Sequence, residues 1–431
     1  MHPRPSSVRH QVLWLTVAAY MITYMDRVVI STAAPSMREE FGFSIVTMGI
    51  IMSSFRWGYA LFQIPGGWLG DYYGPRRALT LIVTWWSAFT SLTAFMGSAG
   101  TMMACRFLFG VGEAGAFPIA TRSLSRWMLP SERGYAQGVT HAGSRLGAAL
   151  TPPLVAWLII QYGWRMPFYL FGALGLIWAA VWYFWYRDTP EQHASVNEQE
   201  LALIRSGLGA TRRGSGTKVP WALILRSRTL WQLSAMYFCY SWCIVVYLDW
   251  LPTYLRESRE MDIKTMGFYA MLPYLAGTVG DLAGGWFSDR LVHRTGNLCM
   301  GRRWVAIGGF LLAALSIVPA TRAADPQLSI IYTCIAVFGL ELTVGVSWAI
   351  PLDIGGDYAG TVSAVMNTCG NIGGAISTLA LGLLVQGYGW NVPFFLAAGF
   401  CTVAAILYLG IDASRHIEGE KNSCELTPTS V

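Results

Sequence analysis

Long apolar runs alternate with short polar breaks along this chain. The runs fall at 11–34, 47–69, 79–97, 101–121, 134–160, 165–186, 230–254, 265–288, 303–320, 327–350, 360–386 and 391–411. A helix of about twenty apolar residues spans the hydrocarbon core of a bilayer. The pattern therefore predicts twelve membrane helices. The longest polar stretch separates six runs from six. It predicts a bundle over 1–186, a linker over 187–229, a second bundle over 230–411 and a tail over 412–431. Within the linker, Asn197-Glu198-Gln199-Glu200-Leu201-Ala202-Leu203-Ile204 predicts a short surface helix.

The polar residues inside the apolar runs carry the functional signal. Asp26 and Arg27 stand near the middle of the first run. On insertion scales each charge there costs about 2.5–3.5 kcal/mol. Neighbouring residues on a helix point about 100° apart, so the two do not neutralise each other and each needs a partner elsewhere. The fourth run holds Arg106 and Glu113, seven apart on one helix face and about 10 Å apart along the axis. Arg106 can reach toward Glu113 or toward Asp26. The second run holds Arg56, Tyr59 and Gln63 in one polar stripe. The fifth holds His141 and Arg145, the tenth Glu341, Ser347 and Trp348, the eleventh Asn367 and Asn371, and the eighth Asp281. Two readings stand beside each other: a polar pathway for ion or substrate, or a charge network that only positions helices.

Composition agrees with a membrane protein. The chain has 431 residues, 54% hydrophobic and 13% charged. A soluble domain carries about 25% charge. Of the 30 Lys and Arg residues, 20 fall in the termini and the loops on their side, 6 in the opposite loops and 4 inside spans. The basic side faces the cytoplasm, which places both termini there, in the inner (plasma) membrane. This topology accounts for the net charge of +6 without a nucleic-acid partner. The eight cysteines are scattered and suggest no disulfide framework, no metal site and no cofactor. A membrane enzyme needs a clustered nucleophile or metal set, and the six histidines are dispersed.

The two halves repeat. Gly66-Gly67-Trp68-Leu69-Gly70-Asp71 returns as Gly284-Gly285-Trp286-Phe287-Ser288-Asp289, 218 residues later. Tyr162-Gly163-Trp164 through Pro167-Phe168 returns as Tyr388-Gly389-Trp390 through Pro393-Phe394, 226 residues later. His141 and Arg145 match Asn367 and Asn371 at the same 226 offset. Parallel six-helix repeats imply a pseudo-two-fold axis along the membrane normal and a site between the halves. The Gly67-x-x-x-Asp71-x-x-Gly74-x-Arg76-Arg77 segment reads as a gate latch, with Asp71 capping a helix of the other half and the arginines meeting acids there. The alternative is a topological anchor. Asp289 is its second-half counterpart.

This loop signature and its second copy resemble the major facilitator superfamily. Tyr24-x-Asp26-Arg27, the run Gly58 to Trp68, Arg106-Phe107-Leu108-x-Gly110-x-Gly112-Glu113, Trp127-x-x-Pro130-x-Glu132-Arg133 and Arg187-Asp188-Thr189-Pro190 resemble its anion:cation symporter family. The family includes carriers of galactonate, hexuronates and glucarate, and the sialic-acid and vesicular glutamate carriers. The resemblance implies that Arg27 holds a substrate carboxylate, that Asp26 and Glu113 carry protons with Arg106 as their partner, and that Tyr59 lines the substrate site. Tyr72 departs from the family, which has a basic residue after the aspartate. Arg56 departs too, standing where the family has an aromatic residue. It reads as a second anion ligand, or as an arginine snorkelling outward or paired with an acid. Asn367, Asn371, Ser347 and Trp348 read as substrate-facing, the asparagines suiting hydroxyls. Arg145 is open between a cavity role and a structural bridge to Asp281. Glu341 is a further proton site or a partner for an arginine.

The expectation is a monomeric all-α carrier that moves a small organic anion, a sugar acid, with protons. A carrier of another carboxylate or of phosphate, coupled to Na⁺, is the alternative within transport. A non-transporting receptor is the alternative outside it.

Overall fold

The computed structural model describes residues 5–129, 132–207, 221–355 and 358–413, and they hold helices with no strand among them. In chain order these are α1 Val8–Phe41, α2 Ile45–Thr93, α3 Ala99–Glu113, α4 Ala116–Trp127, α5 Arg133–Tyr162, α6 Met166–Trp185, α7 Glu198–Gly207, α8 Trp221–Arg226, α9 Arg228–Glu257, α10 Ile263–Thr295, α11 Leu298–Arg322, α12 Pro326–Gly355, α13 Ala359–Tyr388 and α14 Asn391–Leu409. Every predicted span lies on a helix. Among the described residues, ten stretches are long and apolar enough to cross a membrane. The third and eighth expected spans fall short of that apolar density. The third follows directly on Arg76 and Arg77 and holds several Ser and Thr, and the eighth carries Asp281 and a series of glycines.

Two breaks have local causes. α2 covers the second and third spans and is interrupted at Gly74, whose φ of 76° and ψ of 157° are not helical. A side chain at that φ is strained, and Pro75 follows. The fourth span breaks at Ala114–Gly115 between α3 and α4. Pro118 lacks an N–H and its ring clashes with the carbonyl four residues back, that of Ala114. The position 226 residues on is Val344, and α12 runs through it unbroken. The repeat is visible in the backbone. Gly163 and Gly389 end α5 and α13 with φ of 84° and 78°, each donating to the carbonyl four residues before it at 2.9 Å.

The helices sort into two compact units, 1–216 with 252–271, and 217–251 with 272–431. In the first, α2 packs on α3, α4 and α6, and α1 on α5 and α6. Its core is aromatic: Trp182 stacks on Tyr186 at 3.9 Å, and Trp86, Phe109 and Trp127 are fully buried. In the second, α11 packs on α12 and α14, and α13 on α12 and α14. Trp242 stacks on Phe400 at 4.6 Å there, and Phe310 lies against Tyr408.

α1, which carries Asp26 and Arg27, is anchored at both ends. The expected linker helix is α7, and its fully buried Glu200 caps the start of α1. Glu200 accepts from Ser6 Oγ at 2.5 Å, Val8 N at 3.2 Å and Arg9 N at 3.1 Å. The last two are orphan backbone donors of a helix N-terminus. Arg9 continues to Glu132 at the start of α5, 3.2 Å away. At the other end, Glu40 accepts both guanidinium nitrogens of Arg165, at 2.9 and 2.6 Å, and Trp164 Nε1 at 2.6 Å. Arg38 pairs with Glu257 of the 252–271 segment. Glu200→Ala leaves the α1 donors without their acceptor. Hydrogen bonds to a charged group contribute about 1.5–3 kcal/mol, so a fall in unfolding temperature of several degrees is expected in detergent-solubilised protein.

His193 of the linker is wedged edge-on against Trp185 at 4.7 Å and Trp127 at 5.8 Å. Burial, and then the charge of Arg187, holds its imidazole below the ordinary value. The fold accepts the neutral form. No stability is lost above the unfolded value of about 6.5, and stability falls as pH drops below it. His193→Phe is expected to flatten the acid side of a melting-temperature profile between pH 7 and pH 5. An unchanged slope would assign the acid sensitivity to other groups.

Candidate substrate site

The first unit gathers its buried charges around Arg27. Arg27 Nε donates to Glu113 Oε1, joining α1 to the last residue of α3 before the helix break. Glu113 is fully buried, whereas the Arg27 side chain keeps 21% of its surface exposed, so the guanidinium is the accessible member of the pair. Aromatic rings line it. Its central carbon lies 4.8 Å from the Tyr59 ring, 5.1 Å from Tyr24, 5.4 Å from Phe55 and 5.6 Å from Phe117. Desolvated cation–π contacts of this kind stabilise by about 2 kcal/mol.

Asp26 points away from Arg27, as their positions on the helix require. Both of its carboxylate oxygens are buried without a hydrogen-bond partner among the described residues. Arg106 and Glu113 are its charged neighbours, and Trp86 and Thr90 stand beside it. Arg106 is buried, with its guanidinium 4.3 Å from the Phe109 ring and 5.4 Å from Phe55. Phe55 therefore lies within 5.4 Å of both Arg27 and Arg106. Arg56 is half-buried and acts on Glu113 by charge, together with Arg27 and Arg106. His141 meets this wall from α5, with its ring 6.0 Å from Tyr20 and 6.2 Å from Phe117. Arg145, one turn further along α5, is half-buried.

Close helix packing fixes these positions. A Cβ on Gly110 of α3 would lie 2.9 Å from Tyr59 N, and one on Gly58 of α2 would lie 3.1 Å from the Phe107 carbonyl carbon. Only glycine allows backbones so near. Phe55 and Tyr59 are thereby held one turn apart against the face of α3 that carries Arg106 and Glu113.

The second unit has its own polar cluster. Tyr240 donates to Glu341 at 3.3 Å, Trp348 Nε1 donates to Tyr237 OH at 2.9 Å, and the two tyrosines stack at 5.2 Å. Asn371 Nδ2 donates to the Asn367 carbonyl at 2.9 Å, so that amide is partly taken by its own helix. Ser347 does not join this cluster. Its hydroxyl is buried between Tyr408 OH at 2.9 Å and the Thr343 carbonyl at 2.7 Å. Asp281 is half-buried, its carboxylate facing Gly345 of α12.

Two of the latch residues, Arg76 and Asp289, have partners within their own units. Arg76 donates its backbone N–H to Asp188 at 2.9 Å and its Nε to the Tyr183 carbonyl at 2.8 Å. Arg77 is exposed. Asp289 pairs with Arg302 at 2.9 Å, and Arg302 also reaches Asp353 at 3.2 Å. The side chain of Asp71 lies outside the described residues, as do Arg212 and Arg213 of the linker.

The resemblance assigned Arg27 and Tyr59 to a substrate site and Asp26, Glu113 and Arg106 to protons, with Arg56 open between a ligand and a structural role; the structure brings these six side chains near one another. Sequence reasoning missed Tyr24, Phe55, Phe117, Trp86 and Thr90. Spacing carried a signal for three of them: Tyr24 is three residues before Arg27, Phe55 four before Tyr59, and Phe117 four after Glu113. Chemically, three arginines face two carboxylates in this half. A cluster of guanidinium groups in a setting of low dielectric suits an anion.

Comparison with known proteins agrees with that chemistry. The family model of the Major Facilitator Superfamily matches residues 16–378 and 296–423. A probable sulfoacetate transporter of Cupriavidus necator is 40% identical over 94% of this chain and 94% of its own length. A probable galactarate/D-glucarate transporter of Bacillus subtilis is 31% identical over 94% of this chain and 91% of its own. A hexuronate transporter of the same organism is 29% identical, with 92% of each chain covered. These names are those of organic-anion transporters and not of enzymes, and they are consistent with the anion:cation symporter resemblance. Among solved structures, an inward-facing, unoccupied bacterial homologue of the human lysosomal transporter Spinster superposes with a TM-score of 0.80 at 17% identity, covering 96% of this chain and 98% of that one. The all-helical fold and the extent of the family match lead to one conclusion: the chain belongs to the major facilitator superfamily.

Proposed function

We propose that this protein is a secondary carrier that imports a small organic dianion together with a proton. The observation that carries the reading is the partly exposed, ring-lined guanidinium of Arg27 in the first unit, beside buried Glu113 and in a cluster with Arg56, Arg106 and Asp26. Arg27 takes a carboxylate in its fork. Arg56 takes the second anionic end. Glu113 holds Arg27 while the site is empty, and a proton on Glu113 releases it to the substrate. Asp26, beside Arg106, is the second proton carrier. The two six-helix halves, 1–186 and 230–411, give alternating access. Asp71, Arg76, Arg77, Asp289, Arg145 and Asp281 serve the gates between them. Both termini face the cytoplasm, and the carrier works as a monomer in the inner membrane.

A sugar acid remains a fitting cargo, and an aldarate meets the requirement for two charged ends. A shorter sulfonated carboxylate meets it better. The wall around Arg27 is aromatic and offers few partners for a hydroxylated chain, and the Asn371 amide is engaged by its own helix. The 40%-identical relative named for sulfoacetate supports this choice. Uptake into proteoliposomes with an inward proton gradient tests it, using sulfoacetate, glucarate, galacturonate and glucose as competitors. The dianions are expected to compete, sulfoacetate most strongly, and glucose not at all. Competition by glucose at a similar concentration overturns the reading.

Arg56→Phe restores the aromatic residue usual at this place in the symporter resemblance. It is expected to weaken dianions by roughly tenfold or more while leaving monocarboxylates nearly unchanged, since a charge-assisted hydrogen bond contributes about 1.5–3 kcal/mol. Equal losses on mono- and dianions would make Arg56 a structural residue.

A further inference from the structure

The second unit carries a groove that the transport reading does not use. It encloses about 440 Å³ between α10, α11 and α12, lined by Trp286, Phe287, Arg290, Arg294, Trp304 and Phe338. Trp286, Phe287 and Trp304 are each about half exposed. The Arg290 guanidinium lies 5.2 Å from the Trp286 ring. Neither Arg290 nor Arg294 has a carboxylate partner among the described residues, because the neighbouring Asp289 is taken by Arg302. The floor is open at Gly308, where a Cβ would meet nothing within 4 Å.

The fold alone does not produce this groove: the first half keeps counterparts of Trp286 and Arg294 in Trp68 and Arg76, whose Nε is taken by the Tyr183 carbonyl, but lacks the other parts. At the 226 offset Trp304 corresponds to Ala78 and Gly308 to Ile82. At the 218 offset Trp286 and Arg290 correspond to Trp68 and Tyr72. Trp68 and Tyr72 also stack, at 5.4 Å, but that ring pair brings no charge. The second half thus combines an apolar slot, two indole rings from α10 and α11, and two arginines of α10 with no carboxylate partner among the described residues. Tryptophan favours the headgroup level of a bilayer, and arginines there attract anionic headgroups. A detergent-like or zwitterionic occupant would leave the two cations unmatched.

We infer that this groove binds one anionic phospholipid of the cytoplasmic leaflet, with an acyl chain in the slot over Gly308 and the phosphate on Arg290 and Arg294. The leaflet rests on the proposed topology, and the binding does not depend on which anion the protein carries.

The test uses the purified full-length protein and native mass spectrometry, titrating dioleoyl phosphatidylglycerol against dioleoyl phosphatidylcholine. The tails are identical, so only the headgroup differs. One phosphatidylglycerol is expected to be retained, roughly tenfold more tightly than phosphatidylcholine. The double variant Arg290→Gln/Arg294→Gln is expected to lose the preference. Gly308→Leu, which fills the slot without touching backbone, is expected to weaken both lipids. Thermal unfolding confirms that each variant is folded, and if Gly308→Leu is not, the arginine pair decides alone. Equal retention of the two lipids by the unaltered protein overturns the inference. So does a preference that survives the arginine substitutions, or a dimer that Gly308→Leu dissolves. None of these readouts uses transport, so a wrong substrate assignment leaves the result intact.

Discussion

Arg27→Lys is expected to raise the substrate concentration needed for half-maximal uptake by roughly 10- to 100-fold. The charge is kept, so the loss isolates geometry. A guanidinium presents two parallel N–H groups to a carboxylate, and an ammonium is a point charge. Losing one charge-assisted bond at about 1.5–3 kcal/mol gives that factor, since about 1.4 kcal/mol is tenfold. The surroundings add to it. Tyr24, Phe55, Tyr59 and Phe117 lie around the flat face of Arg27 at 4.8 to 5.6 Å, a fit that a lysine does not reproduce. The measurement is competition of labelled substrate by carboxylate analogues in proteoliposomes. An unchanged half-saturation would place the carboxylate elsewhere, with Arg56 next. The same variant also removes the Nε–H that Glu113 accepts, so its unfolding temperature separates a binding defect from a folding one.

Much of this architecture was legible because membrane helices are written in one dimension. Runs of twenty apolar residues leave few alternatives, and the 226-residue echo of Tyr162-Gly163-Trp164 is matched by the positive φ of Gly163 and Gly389. The charges were legible for the same reason. Asp26, Arg27, Arg106 and Glu113 are expensive in apolar runs, so each had to find a polar setting. Which acid meets which arginine was not legible. It depends on how α1, α2 and α3 rotate against each other, and glycine contacts such as Gly110 on Phe55 and Tyr59 set that rotation. The rings around Arg27 were hidden because aromatic residues in a hydrophobic run look like ordinary core. Ser347 shows the opposite failure. A hydroxyl in a span suggests a cavity, but this one is spent on Tyr408 and its own helix.

Glu113→Gln separates binding from coupling. In the empty site Glu113 holds Arg27 by a hydrogen bond between charged groups, fully buried, one residue before the helix breaks at Ala114. An arriving carboxylate competes for the same guanidinium. Two carboxylates on one arginine would leave negative charge in a site of low dielectric, where each uncompensated unit is costly. A proton on Glu113 removes that conflict, so proton and anion tighten each other by the same factor. Glutamine imitates the protonated acid permanently. The variant is expected to bind substrate at least as well as the unaltered protein and to exchange labelled for unlabelled substrate across the membrane. Accumulation driven by a pH gradient is expected to be lost, because no proton is taken up or released at this position. Counterflow and proton-driven uptake measured in the same vesicles give both numbers from one preparation. Asp26→Asn is the companion. Its carboxylate oxygens lack hydrogen-bond partners beside Trp86, Thr90 and Arg106, and it does not touch Arg27. It is therefore expected to impair coupling with little change in affinity, whereas Glu113→Gln changes both. Accumulation that persists in both variants would move the coupling acid to the second unit, where Glu341 accepts from Tyr240.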